Sequence, residues 1–219
     1  MSVEKVSEDR LSLYNLPGDI YDLMAAFMAD PDLFEFLTLS RHITISSYLL
    51  RDRRRLLWKK CGAKHLTIKG DLAGLQYLHS LGSVAWTTYA MDCAARNGHL
   101  AVIEFLHSIG ATCTANAMDC AARNGHLAVV QYLHGIGAPY TTTAMDWAAW
   151  NGYLAVIEFL HGIGAPYTTN AMDWAAENGH LAVVEFLHGI GAPYTTNAMN
   201  WTAKYGHLAV VGFLSKIKN

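Results

Sequence analysis

The stretch AMDCAARNGHLAVIEFLHSIG, residues 90–110, decides the fold, because it returns 27 residues later as AMDCAARNGHLAVVQYLHGIG at 117–137. The same opening recurs as AMDWAAWNGYL from Ala144, AMDWAAENGHL from Ala171 and AMNWTAKYGHL from Ala198, each again 27 residues on. A blurred earlier copy starts near Gly62, and its GDLAGLQYLHSLG matches GHLAVIEFLHSIG at a shift of 28, the extra residue falling in SVAWTTY. A fixed period of this length is the mark of a stacked repeat architecture. The chain therefore holds six units, beginning near residues 62, 90, 117, 144, 171 and 198.

Each unit reads as two short helices. Asn116, Thr143, Asn170 and Asn197 precede Ala-Met-Asp or Ala-Met-Asn, and a capping oxygen with an acid three residues later is capping-box chemistry. Gly98, Gly125, Gly152, Gly179 and Gly206 then stop the first helix as a C′ glycine does. The second helix is apolar at Leu100, Val102, Ile103, Phe105, Leu106 and Ile109, too broad a face for a single buried stripe. It suits a helix sandwiched between copies of itself. Gly110, Gly137, Gly164 and Gly191 end it, and Pro139, Pro166 and Pro193 prevent its continuation.

Composition agrees with a packed core and little more. Of 219 residues, 52% are hydrophobic and 16% charged, with a net charge of −2, so no field draws in nucleic acid or an anionic membrane. The opening MSVEKVSEDR leads into no apolar segment, so no secretory signal is expected. No stretch reaches the roughly 20 apolar residues of a membrane helix. Cys61, Cys93, Cys113 and Cys120 have no metal-finger spacing and read as reduced thiols of a cytoplasmic, or else nuclear, protein.

A leucine-rich architecture also accommodates this period, but LxxLxLxxN is missing and nothing alternates with the period of a strand. Helix pairs remain. The phrase AAxNGHLAVVEFLHxxGA resembles the ankyrin signature TPLHxAAxxGHLxVVxxLLxxGA over roughly Gly62 to Asn219. The resemblance implies an all-α, ankyrin-type helical solenoid of six helix pairs over 62–219, preceded by a small helical unit over 1–61. Two departures stand out. Asn/Thr-Ala-Met-Asp replaces Thr-Pro-Leu-His, and the unit is shorter than the usual ~33 residues, the deficit falling in GAPYTTN where the family projects a hairpin finger. Turns are expected there instead. Short units of this type resemble those abundant in giant DNA viruses of amoebae.

The first sixty residues do not follow the repeat. Leu16-Pro17 before Asp19-Ile20, and Asp30-Pro31-Asp32-Leu33, punctuate helical spacings at Ile20, Leu23, Met24 and Phe27 and at Leu33, Phe36 and Leu37. With Leu37-x-x-Ser40-Arg41 and the closing Leu57-Trp58-Lys59-Lys60, the segment resembles the F-box, which docks substrate receptors onto the Skp-type adaptor of a cullin ubiquitin ligase. That resemblance implies adaptor contacts by Leu16, Pro17, Ile20, Leu33, Leu37 and Ser40, although Ile43 stands where a tryptophan is usual. The other reading is a helical cap that shields the open end of the stack. An F-box could also cap.

Catalytic and metal chemistry find no constellation. His107, His134, His161 and His188 share one repeat position, and His99, His126, His180 and His207 another. Equivalent side chains on stacked helices lie about 8–10 Å apart, so each set is a ladder rather than a metal cage. Asp92, Asp119, Asp146 and Asp173 read as helix-start residues, and no GxSxG, P-loop, GxGxxG or HExxH occurs. No cofactor is expected. Cys93 and Cys120 share a slot with Trp147, Trp174 and Trp201, which reads as core of changing volume. The basic run Arg51–Arg55 reads as a solvated helix face. Leu208, Val210, Val211 and Phe213 could leave a sticky end on the last unit, with Lys204, Lys216 and Lys218 to solubilise it.

The informative slot lies two before the helix-ending glycine: Arg96, Arg123, Trp150, Glu177, Lys204. Positions that build the stack stay constant, so a position that varies is free to face a partner. By resemblance to ankyrin domains this slot, with the adjoining Asn124, Asn151 and Asn178, lines a concave binding face. The alternative for Trp150 is packing on Trp147 or Trp174. A protein target is therefore expected, with the Skp-type adaptor as a second partner if the F-box resemblance holds.

Overall fold

Two glycines per repeat set the length of the helices. In the computed structural model, which describes residues 47–82 and 84–217, the chain forms α1 (Ser47–Lys69), α2 (Leu72–Ser80), α3 (Thr88–Arg96), α4 (Leu100–Ser108), α5 (Ala115–Arg123) and α6 (Leu127–Gly135). These are followed by α7 (Thr142–Trp150), α8 (Leu154–Gly162), α9 (Thr169–Glu177), α10 (Leu181–Gly189), α11 (Thr196–Tyr205) and α12 (Leu208–Ile217). Among the described residues every regular element is helical, and the GAPYTT segments are irregular turns. The adaptor-facing set Leu16, Pro17, Ile20, Leu33, Leu37 and Ser40 lies outside the described residues. The chain groups into two units, 1–53 and 54–219.

Gly98 has φ 77°, and its N–H donates to the Ala95 carbonyl at 3.2 Å while the His99 N–H donates to Ala94 at 3.0 Å. This pair of bonds is a Schellman ending, which satisfies carbonyls that a helix terminus would otherwise orphan. Gly110 and Ala111 repeat the arrangement on His107 and Leu106 at 2.9 and 3.0 Å. At Gly62, φ 72° with ψ 164° is an extended positive-φ backbone open essentially only to glycine, and it breaks α1, so Ala63–Lys69 is the first helix of the first pair.

The first helices (α3, α5, α7, α9, α11) form one row and the second helices (α4, α6, α8, α10, α12) another, with the closer packing within the first row. Side-chain size explains the difference. The first row meets through Ala94, Ala95, Ala121, Ala122, Ala148, Ala149, Ala175 and Ala176, all inaccessible to solvent. The second row contributes Val102, Ile103, Leu106 and their counterparts, plus a line of rings outside them. Each His on this line stands edge-on to the aromatic of the next repeat: His107 on Tyr132 at 6.1 Å, His134 on Phe159 at 5.8 Å, His161 on Phe186 at 5.8 Å and His188 on Phe213 at 5.6 Å. Small residues thus line the first row and large ones the second. Met91, Met118, Met145 and Met172 fill the space between the rows.

The helix starts differ from the sequence expectation. The caps are Thr114, Thr141, Thr168 and Thr195, two residues before Asn116, Thr143, Asn170 and Asn197, and each threonine oxygen accepts the N–H two residues on at 3.1 Å. The aspartates are mid-helix and do not cap their own helices. Asp92 instead reaches 22 residues forward, accepting the Thr114 N–H at 3.0 Å and its hydroxyl at 2.6 Å. Asp119 clamps Thr141 at 3.0 and 2.6 Å, Asp146 clamps Thr168 at 2.9 and 2.7 Å, and Asp173 clamps Thr195 at 2.8 and 2.6 Å. A carboxylate is needed because both partners donate. Lys64 stands in this slot of the first repeat, and Thr87, the cap it would meet, has no side-chain bond.

A second link runs backward. His99, His126 and His180 bond through Nε2 to the Ile68, Arg96 and Trp150 carbonyls of the preceding repeat at 2.9, 3.1 and 3.0 Å. Their rings lie over the preceding helix-ending glycine: a Cβ at Gly152 would sit 2.6 Å from His180 Nδ1. Gly152 thus needs both its left-handed backbone and its missing side chain. At the amino end, Asp71 takes the histidine slot, caps α2 by accepting the Gly74 N–H at 3.0 Å, and is held by the Trp58 indole N–H at 2.7 Å. At the carboxyl end Val210 is buried, Val211 and Phe213 are half-buried and Leu208 is 80% exposed.

Replacing Asp146 by Ala leaves a threonine N–H and hydroxyl unpaired, so it should cost about 2 kcal/mol in urea unfolding. Asn200→Ala, in the slot that makes no clamp, should stay within about 0.5 kcal/mol. Burial, opposed by the Thr168 hydrogen bonds, raises the Asp146 carboxyl above its ordinary range. The folded state therefore holds this proton more tightly than the unfolded one. Its contribution is present at acid pH and is lost as pH rises through the raised value. The stability difference between native chain and Asp146→Asn should accordingly shrink as pH rises through and above the ordinary aspartate range; a difference that grows as pH rises refutes the assignment.

Candidate functional site

The first row presents two lines of side chains on its open face. One line is Cys93, Cys120, Trp147, Trp174 and Trp201, and the other, three residues on and so on the same helix face, is Arg96, Arg123, Trp150, Glu177 and Lys204. Cys93 is buried, but Cys120 and the three tryptophans are half-exposed, which corrects the reading of this line as core. The alanines carry the contact between helices, and the larger residues lie over them.

The two lines interlock from one repeat to the next. Arg96 meets the Cys120 thiol, and the contact raises the arginine's proton affinity. Arg123 lies over the Trp147 ring at 4.1 Å, well within cation–π range. Trp150 packs on Trp147 at 5.8 Å and on Trp174 at 5.7 Å, both near edge-to-face, and Trp147 meets Trp174 at 5.3 Å. Three indoles of two adjacent repeats thus form one half-exposed platform with a guanidinium on its flank. The packing alternative foreseen for Trp150 is what the structure contains, yet the ring stays partly open to solvent. Tryptophan and arginine clustered at a surface are the residues that most often anchor protein interfaces.

The asparagines serve the scaffold. Asn124 Nδ2 donates to the Arg96 carbonyl at 2.9 Å, while Asn151 and Asn178 donate to Trp147 and Trp174, each at 2.9 Å. Their amides close the helix ends next to the platform and hold its backbone. Glu177 is half-buried, and Lys204 is exposed with its ammonium 5.2 Å from the Tyr205 ring. At the far end Arg54 stacks over Trp58 at 5.1 Å and Arg55 over Tyr77 at 5.4 Å, so part of the basic run covers aromatic surface. The tryptophan line is the feature sequence reasoning underused. Its signal was available, since a slot that accepts both Cys and Trp cannot lie in a tightly filled core.

The family model described as Ankyrin repeats (3 copies) matches residues 91–171 and 120–199. Comparison with curated proteins gives no match. Among solved structures, the chain is similar to that described as the crystal structure of human ASB11 ankyrin repeat domain, with a TM-score of 0.62 and 18% identity over 70% of this chain and 82% of that one. That likeness concerns the fold. Two-glycine helix pairs with small residues between the first helices, and the family match at their centre, show that residues 91–199 are ankyrin repeats.

Proposed function

We propose that the chain is a protein-recognition module whose target lies against the first-row helices at Arg123, Trp147, Trp150 and Trp174, and that residues 1–61 join that target to a Skp-type ubiquitin-ligase adaptor. Ankyrin repeats are binding scaffolds for other proteins. The observation that carries the recognition reading is the indole platform, a half-exposed apolar surface on the slots that differ between repeats. The adaptor half rests on the sequence alone, on Leu16-Pro17, Leu33, Leu37 and Ser40. Among the described residues no helix is long and apolar enough to cross a membrane, which accords with a receptor working in cytoplasm, the host's if the chain is viral.

One observation favours a second reading, in which the amino-terminal helices only cap an assembly module. Trp58, inside the Leu-Trp-Lys-Lys that closes the F-box-like stretch, bonds Asp71 and packs on Tyr77 at 5.5 Å. In that reading the segment's work is done once the first repeat is covered.

Retention of purified Skp-type adaptor on the tagged chain, and its loss in a Leu16→Glu, Pro17→Ala double variant, is the outcome for a receptor. If the native chain retains none, the cap reading holds. Separately, proteins captured from cell extract should fall by about ten-fold in Trp150→Ala, equivalent to the ~1.4 kcal/mol or more of a hot spot. Helix content by circular dichroism should stay unchanged. Capture that is indifferent to Trp150 would move the target off this face.

A further inference from the structure

Glu177 is a half-buried carboxylate in the middle of the recognition row, and it makes no hydrogen bond or ion pair among the described residues. The contrast with Asp119, Asp146 and Asp173 is direct, since each of those accepts two donors from a threonine. The cations of the same row are turned elsewhere: Arg123 lies flat on Trp147, and Lys204 points to Tyr205. Trp174 is one turn back on α9, and its ring meets that of Trp150 at 5.7 Å. The Glu177 oxygens stay open to solvent and meet no counter-charge among the described residues, so they are free to take one from a partner.

What completes the site is set by the parts present. A carboxylate accepts a forked pair of N–H donors, and an indole face attracts a planar cation. The groove already holds one such cation of its own, at Trp147. We infer that Glu177, with the indoles of Trp150 and Trp174, is a seat for an arginine side chain of the protein partner. The guanidinium pairs in-plane with the carboxylate and lies against the rings. Arginine rather than lysine fits, because an ammonium satisfies the charge but has neither the fork nor the flat face. Arg96 and Arg123 continue the row with opposite sign, so acidic residues of the same partner fit on the amino-terminal side of its arginine seat. The inference rests on the recognition reading of this row and names the chemistry of the partner.

The full chain, labelled with 15N at its indoles, is titrated with the peptide Ac-Gly-Gly-Arg-Gly-Gly-amide and with the same peptide carrying Lys or Gln in place of Arg. The Trp150 and Trp174 indole signals, assigned by Trp→Phe variants, should shift with the Arg peptide, less with Lys and not with Gln. Glu177→Gln should weaken the Arg response by about ten-fold while its urea midpoint stays unchanged. Equal responses to Arg and Gln peptides, or a Glu177→Gln chain that binds as well as the native one, overturn the seat. Protein capture that needs Trp150 but not Glu177 leaves the recognition reading standing and removes only this inference.

Discussion

The backbone of a nine-residue helix is mostly helix end. With four N–H groups and four C=O groups left over at its termini, such a helix cannot satisfy itself, and it is too short to persist alone in water. Everything else in this molecule follows from where those groups find partners. The amino-terminal donors are met by a threonine oxygen, and the threonine is held by an aspartate one repeat earlier. The carboxyl-terminal acceptors are met by glycine-directed backbone bonds, by asparagine amides and by a histidine one repeat later. Each helix pair is therefore unfinished until its neighbours are in place. Stability of this kind is a property of junctions, as expected of a one-dimensional stack.

Much of this was legible in the residues, and the misreadings have a common cause. The period, the helix pairs and the glycine stops could be read because they depend on local geometry. The aspartate was read as serving its own helix because Asn116 or Thr143 before Ala-Met-Asp mimics a capping box. Its true partner lies 22 residues on. A local motif and a recurring long-range pair look alike in a perfect repeat, where every spacing recurs. The exceptions to the repeat were the better clue. Asn200 and Lys64 stand in the aspartate slot, and of the two Lys64 precedes a threonine cap, Thr87, whose side chain is idle. The tryptophan line was misplaced because slots were sorted into constant and variable before asking which residues separate the helices. Alanine does that here, which frees the larger neighbours for the surface.

The same division of labour explains how a rigid stack can carry a specific face. Clamp, glycine, histidine and methionine are repeated almost without change, whereas Arg96, Arg123, Trp150, Glu177 and Lys204 share a slot and little else. Substitution in that slot alters charge and shape without disturbing a junction. Neighbouring slots still touch one another, as Arg123 does Trp147 and Trp150 does Trp174. The face is thus a continuous surface rather than a set of separate points, and its groups are held in place before any partner arrives. Preorganisation of that sort reduces the ordering cost of binding.

Because the clamp and the histidine contact each join a residue to its counterpart's neighbour exactly one unit away in register, the array can grow or shrink by whole units without inventing a junction. Copying any 27-residue segment of the regular part, wherever it begins, regenerates the same aspartate–threonine and histidine–carbonyl pairs. A copying error of any other length displaces the partners that span it and leaves later pairs in register. The step of 28 residues between the first two units, where no clamp forms, is the kind of scar such an error leaves. The groove can in this way be lengthened and then edited slot by slot, so that new recognition surfaces arise from a change in copy number before any change in sequence.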